Sequence, residues 1–322
     1  MPNTVNFENF GDELMRTIDG NGQIILESVV HGAQSLVDDF DVVTTRDKAP
    51  LVRLDVKDSW APASDDFNGK KALEVRSRIA TFNEGDIDLF ITNSQIKEVY
   101  QSYLGWLKAP NVPLSDVTAK PFELFFLDHV ISKHFDFVRK KTAWNGVYNA
   151  AGSGAGSLTD GFIKQFATGR GVSGDILPTH VFDGDPITDA NAYAQFNGVA
   201  KLVKEVNEDL LQETLNVYCS LSAYDSYRRN RQTLFPNFVA PDARPDQLDD
   251  YTNLRFKIDP GLTGKSTIVI TPQHNMKFVC NEDPRKYTLT IIRDVKGWKI
   301  SIRVSLGFDY ASPDWVFLND LI

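Results

Sequence analysis

The sequence predicts an α+β fold, and three stretches carry that expectation. Between positions 36 and 82, strand-like pieces lie on either side of a polar tip, "WAPASDDFNGKK". From about Lys120 to Ala143 runs one long helix, and the final third is a succession of short strands. Helices and strands kept in separate runs are the pattern of α+β architecture.

At 322 residues the chain is long enough to bury a sizeable core. Hydrophobic residues make up 42% and charged residues 24%, the balance of a folded globular protein. The net charge of -9 argues against a dedicated nucleic-acid reader, which needs a clustered positive surface. The most apolar stretch, "FELFFLDHVISKHFDFV", is interrupted by Asp128, Lys133 and Asp136, so no membrane span is expected. The N-terminus lacks a basic segment followed by an apolar one, and no signal peptide is expected. Cys219 and Cys280 are far apart and read as two free thiols.

In chain order, residues 1–33 read as an arm of short helical pieces, broken at Gly11, Gly20, Gly22 and Gly32. The stretch from Leu36 to Phe82 reads as a long two-stranded excursion with too few apolar residues for a core of its own. An isolated ribbon of that length is marginal in water and needs something to lie on. "IDLFIT" reads as a strand leading into the helix "NSQIKEVYQSYLGWL", with Asn93 or Ser94 as N-cap. The helix from Lys120 has Pro121 in its first turn and Arg139, Lys140 and Lys141 at its end, the charge order the helix dipole favours. Its phenylalanines leave no wide polar face, so cover on most sides is expected. A short helix and loops over "GFIKQFATGRGVSGDILPTHVF", an amphipathic helix begun by Asp189, the strand "TLNVYCS" and the helix "LSAYDSYRRNRQTLF" follow. A Pro- and Asp-rich loop, 236–250, then precedes the strands of the last third.

Motifs of catalysis are weak. "WNGVYNAAGSGAGSLTDGF", Trp144 to Phe162, is dense in small residues, but no register completes G-x-G-x-x-G and a helix, not a strand, precedes it. A tight exit from the long helix fits better, with Trp144, Val147, Tyr148 and Phe162 seeking burial around it. "DPGLTGKST" imitates a phosphate loop, but Asp259 stands where its first glycine belongs, and a turn in a hairpin is expected. His129 and His134 are five apart, and neither H-E-x-x-H nor C-x-x-C occurs. No catalytic residue, metal ligand or cofactor site is assigned, although an enzyme whose site leaves no local signature stays open as an alternative.

Three stretches carry a family resemblance. "KPFELFFLDHVISKHFDFVRKKTAWNGVYNAAGSGAGSLTDGF" resembles the spine helix and following turn of the tailed-bacteriophage major capsid proteins of the Hong Kong 97 type. "LSAYDSYRRN" is similar to a helix of that family's axial domain. "STIVITPQHNMKFV" with "WKISIRVSLGFDYASPDWVFLND" resembles its T-P-x-x-N turn and closing strands ending in "ND".

The resemblance implies an N-terminal arm at 1–35 and an extended β-ribbon loop with return strand at 36–92. It further implies a peripheral domain with the spine helix at 93–171, an axial domain at 172–283, and C-terminal strands returning to the peripheral domain at 284–322. The implied function is a shell subunit forming hexamers and pentamers around double-stranded DNA, located in the virion capsid and, during assembly, the host cytoplasm. A separate scaffolding protein and a portal are the implied partners, and the DNA is contacted without sequence preference. Candidate intersubunit contacts are Arg46, Lys48, Arg53, Asp55, Lys57, Trp60, Lys70, Lys71, Arg76 and Arg78. The family's lysine–asparagine crosslink is not expected: Lys70 or Lys71 and Asn275 or Asn319 are available types, but no local motif matches. The alternatives are an encapsulin-type shell and an oligomeric phage tail or connector protein.

Overall fold

One 14-residue strand organises the first half of the molecule. In the computed structural model, which describes residues 34–46, 48–56, 73–107, 122–236, 246–281 and 289–322, the helices are α1 (Gln34–Asp39), α2 (Asn93–Leu107), α3 (Phe122–Phe137), α4 (Phe162–Gly169), α5 (Ala192–Val206) and α6 (Leu221–Leu234). The strands are β1 (Asp41–Thr45), β2 (Ala49–Val56), β3 (Leu73–Ala80), β4 (Asn83–Thr92), β5 (Val181–Phe182), β6 (Leu215–Cys219), β7 (Gln247–Leu248), β8 (Tyr251–Ile258), β9 (Val269–Thr271), β10 (Met276–Asn281), β11 (Leu289–Asp294), β12 (Gly297–Tyr310) and β13 (Phe317–Asn319). Helices and strands together give the expected α+β architecture.

β12 carries β4 along one edge. Its other edge takes β11 at the start and β10 at the end, with β1 outside β10. Leu306 pairs with both Asn83 and Cys280, which fixes β4 and β10 on opposite edges. Alternate residues of β12 (Trp298, Ile300, Ile302, Val304) are buried in a core shared with Leu36, Phe40, Ile96, Phe126 and Phe135. That is the period-2 pattern of a sheet covered on one face. A second sheet runs β5-β13-β9-β6-β8-β7. Its parallel pair β6–β8 is joined through α6, and α5 and α6 bury Phe196, Val199, Tyr224 and Tyr227 against it in a second core. Ser220 caps α6, its hydroxyl accepting from Ala223 N at 3.2 Å.

Several expectations shift by a residue or a face. Thr92, not Asn93 or Ser94, caps α2, its hydroxyl accepting from Gln95 N at 3.3 Å. Asp189 does not begin α5; its carboxylate accepts from Ser226 and Arg229 on α6, and Asn191 holds Thr188 N instead. "DPGLTGKST" links β8 to β9 through a short 3₁₀ turn, but the two strands flank β6 and do not form a hairpin. The ribbon proper spans β2 and β3, because Leu36 and Phe40 are buried in the first core and β1 pairs with β10. The arm at 1–33, the ribbon tip at 57–72 and Pro121 lie outside the described residues. Both cysteines are free, with burial pushing the Cys280 thiol up to about 11.

The exit from the long helix is a close-packed reversal. α3 continues as a π-turn, Val138–Thr142, and the chain then folds back along it. Gly161 N donates to Gly146 O at 2.9 Å, Phe162 N to Ala143 O at 2.9 Å, and Thr142 Oγ1 to Ala155 O at 2.6 Å. A Cβ on Gly161 would collide with Thr142 O and Trp144 O, and one on Gly146 with Thr159 O. Trp144 and Phe162 are fully buried, as expected, but Val147, Tyr148 and Phe137 stay half exposed, so this flank of the helix is open. Gly161→Ala is expected to cost about 2–3 kcal/mol, because the obstacles are backbone atoms that cannot rotate away. A urea midpoint unchanged from wild type would contradict this packing.

Two asparagines seal the crossings between the sheets. Asn275, in the T-P-x-x-N turn from β9 to β10, donates to Thr271 Oγ1 and Ser312 O, both at 3.0 Å, and accepts from Ser312 N at 2.6 Å. Asn319, in β13, accepts from Ile268 N at 2.9 Å and donates to Ser266 O at 2.7 Å. Both side chains are buried and committed to these bonds.

Candidate assembly site

The ribbon stands out from the first sheet as a separate two-stranded pair. β2 and β3 pair antiparallel from Ala49↔Ala80 to Val56↔Leu73. Because side chains alternate across a strand, this register sorts the sixteen residues into two unlike faces. On one face stand positions 50, 52, 54 and 56 with 73, 75, 77 and 79, that is Pro, Val, Leu, Val, Leu, Val, Ser and Ile. Val52, Val75 and Ile79 on this face are 60%, 59% and 58% exposed. Three large apolar side chains thus stand well exposed on one face of a short ribbon.

The opposite face carries the charges. Arg53 stands directly across from Arg76, and Asp55 from Glu74. Arg46 and Lys48 precede β2 and are exposed. Lys57, Trp60, Lys70 and Lys71 lie outside the described residues.

Arg78 is held by several partners within the chain. Its Nε donates to Asp309 Oδ1 at 2.8 Å, Nη1 to Asp175 Oδ2 at 2.6 Å and Nη2 to Gln165 Oε1 at 3.3 Å. The guanidinium lies 4.0 Å from the centre of the Tyr310 ring, whose hydroxyl donates to Asp175 Oδ1 at 2.6 Å. Below this clamp Ala49, Leu51 and Ala80 pack on Val279, seating the root of the ribbon on the first sheet. Burial works against the Arg78 charge, but Asp309, Tyr310 and Asp175 together hold its pKa above the ordinary value.

Burial pushes the Asp309 carboxyl up to about 6, more than Arg78 and the Tyr310 amide pull it down. A carboxyl raised in the folded state stabilises the fold fully below its unfolded value of about 4, and that contribution is lost as pH rises through about 6. Between pH 4.5 and 7.5 the wild type should therefore lose about 1–3 kcal/mol relative to Asp309→Asn. Urea midpoints at the two pH values measure it; parallel behaviour of the two chains would show that Asp309 does not titrate in this window.

A second buried charge cluster joins the two cores. The π-turn brings Arg139 inward while Lys140 and Lys141 stay outside, so the basic run at the helix end is split between structure and solvent. Arg139 Nη2 donates to Asp259 Oδ2 at 2.7 Å and also binds Asp39, which is paired in turn with Lys257. Asp259 Oδ1 accepts from Gly261 N at 2.8 Å, and the guanidinium sits 4.9 Å from the Phe40 ring centre. Burial raises the pKa of Asp259 against the pull of Arg139. Sequence reasoning placed Arg139 in the helix-end charge pattern and missed this role.

Nothing among the described residues gathers into a reactive centre. No three His, Cys, Asp or Glu side chains are placed to hold a metal ion, and no helix is long and apolar enough to cross a membrane. His180 is buried, stacked on Phe317 at 4.5 Å, and burial lowers its pKa. An open groove of about 810 Å³ runs between the acidic edge strand (Glu84, Asp86, Asp88) and the turn after the long helix.

No family model matches the sequence, and no curated protein matches it. Solved structures do. A chain of the satellite phage P4 procapsid, a particle including the size determination protein Sid, superposes with a TM-score of 0.60 at 14% identity, covering 94% of this chain and 90% of that one. A chain of the capsid of the empty GTA particle gives 0.52 at 12% identity, with 89% of each chain covered. A chain of the holo-SrpI encapsulin complex from Synechococcus elongatus PCC 7942 superposes more distantly, at 0.47 and 9% identity over 89% of this chain and 86% of that one. The first two matches run nearly end to end across both sheets and the long helix, so this chain has the Hong Kong 97-type capsid fold.

Proposed function

We propose that the chain is a major capsid protein, which self-assembles into hexamers and pentamers of an icosahedral shell around the double-stranded DNA of a tailed phage or prophage. One observation beyond the fold carries this reading: the apolar face of the ribbon is exposed on the subunit and needs a neighbour to cover it. In the proposed shell that neighbour is another copy, and Arg46, Lys48, Arg53, Asp55 and Arg76 border the contact, with Lys57, Trp60, Lys70 and Lys71 toward the tip. The two cores support a division into a peripheral part around the first sheet and an axial part around the second, with residues 1–35 as an arm. β10 then travels with the peripheral sheet and β13 with the axial one.

The role is structural, with no catalytic residue and no cofactor. Scaffolding and portal proteins are separate partners, and the packaged DNA is touched without sequence preference, in keeping with the net charge of -9. The protein is placed in the virion capsid, after assembly in the host cytoplasm. Negative-stain microscopy of the purified protein, alone and co-expressed with the phage's own assembly proteins, tests this. Closed shells or hexameric capsomers are expected; a stable monomer or small dimer under every condition would overturn it.

A further inference from the structure

The Arg78 clamp joins segments far apart in sequence. Arg78 belongs to β3, two residues from the ribbon's root; Asp309 and Tyr310 end β12; Gln165 is on α4; and Asp175 lies in the loop 170–177. That loop is the route by which the chain leaves one core for the other: Ile176 is buried in the first, and Phe182 packs against the second. We propose that Arg78 couples the root of the ribbon to the loop 170–177, so that loosening either segment loosens the other.

The geometry supports this from both sides. Both oxygens of Asp175 are occupied, one by Arg78 of the ribbon and one by the Tyr310 hydroxyl of β12. The loop's other bonds are local backbone ones, Arg170 N to Phe166 O at 2.9 Å, Gly171 N to Thr168 O at 3.0 Å, Gly174 N to Gly171 O at 2.8 Å and Ile176 N to Gly169 O at 2.9 Å, while Val172 is fully exposed. The root of the ribbon has little apolar anchorage, since Ala49 and Ala80 are small and Leu51 is its one large buried side chain. Charge-assisted hydrogen bonds are the stronger kind, so a guanidinium shared between two carboxylates outweighs such packing at both places. Arg78 also has no slack. Its guanidinium lies over the Tyr310 ring while bonded to Asp175 and Asp309 at once, so a shift toward one carboxylate pulls against the other. A displacement of the second core that drags the loop is thereby passed to the ribbon.

This inference does not depend on the shell reading and is tested on the unassembled full-length chain. Hydrogen exchange read by mass spectrometry would compare wild type, Arg78→Met, Asp175→Asn and the double variant. Each single change is expected to speed exchange about tenfold or more in both the 73–80 and the 170–177 segments. The double variant should exceed the larger single effect by little, the mark of a shared interaction. Tyr310→Phe removes only the hydroxyl bond to Asp175 and serves if Arg78→Met does not fold; it should shift both segments in the same direction by a smaller factor. Exchange that rises only in the loop for Asp175→Asn or Tyr310→Phe, or a double variant equal to the product of the singles, would overturn the coupling.

Discussion

Arg139→Ala is expected to destabilise the subunit by about 3–5 kcal/mol. The reason is what it leaves behind. Asp259 is fully buried and already disfavoured as an anion by its surroundings, and Asp39 beside it would keep only Lys257. Removing one partner of a buried ion pair costs far more than the pair contributes net, because the remaining charge has no water to turn to. Arg139→Lys should recover only part of the loss: Nη2 alone carries both carboxylate contacts, but an ammonium is more strongly hydrated than a guanidinium and costs more to bury there. Lys140→Ala, one residue along on the exposed side, should stay within about 0.5 kcal/mol of wild type. Denaturant titration of the three variants measures the series. An alanine effect under about 1 kcal/mol would mean that the cluster is not closed to water.

Asp at positions 52 and 75 together should abolish assembly while leaving the subunit folded. Val52 and Val75 are exposed in the isolated chain, so substitution there removes no intramolecular core, and the melting behaviour should stay within about 0.5 kcal/mol of wild type. Each valine covered by a neighbour is worth about 1.5–3 kcal/mol, and an unpaired carboxylate in its place adds a desolvation cost of about the same size or more. Every contact in a shell repeats, so the loss is multiplied over all copies. Sedimentation and microscopy read the result: wild-type particles, variant capsomers or free subunits. Arg46→Ala and Lys48→Ala, which remove exposed charges, should slow or weaken assembly far less. Normal particles from the double Asp variant would show that this face is not an interface and would remove the main support for the shell reading.

The sequence was most legible where local patterning and tertiary demand agree. "NSQIKEVYQSYLGWL" is α2 residue for residue, and the strands of the last third appear where alternation placed them. The small-residue stretch after Trp144 reads correctly as a reversal because glycine spacing excludes the phosphate loop and burial of Trp144 and Phe162 favours packing. Legibility fails where a residue's role is set by something distant. Arg139 looks like helix-end decoration until a π-turn rotates it inward onto Asp39 and Asp259, one hundred and more positions away. Arg78 looks like one more ribbon charge until Asp175 and Asp309 close on it. The apolar ribbon face is a different omission: the period-2 pattern of "PLVRLDV" is plain in the sequence, but the charged alternate positions drew attention away from it.

The crossings that Asn275 and Asn319 seal also bear on timing. The chain builds most of the first core, then strands β5 to β9 of the second, returns for β10 to β12, and only then adds β13 between β5 and β9. A nascent chain holding everything up to position 311 thus still has a gap inside its second sheet, with two unpaired strand edges facing it. The first sheet thus has all its strands by position 310, while the second waits for β13. A fragment that stops before β13 therefore holds a complete first sheet beside a second sheet with a strand-wide gap.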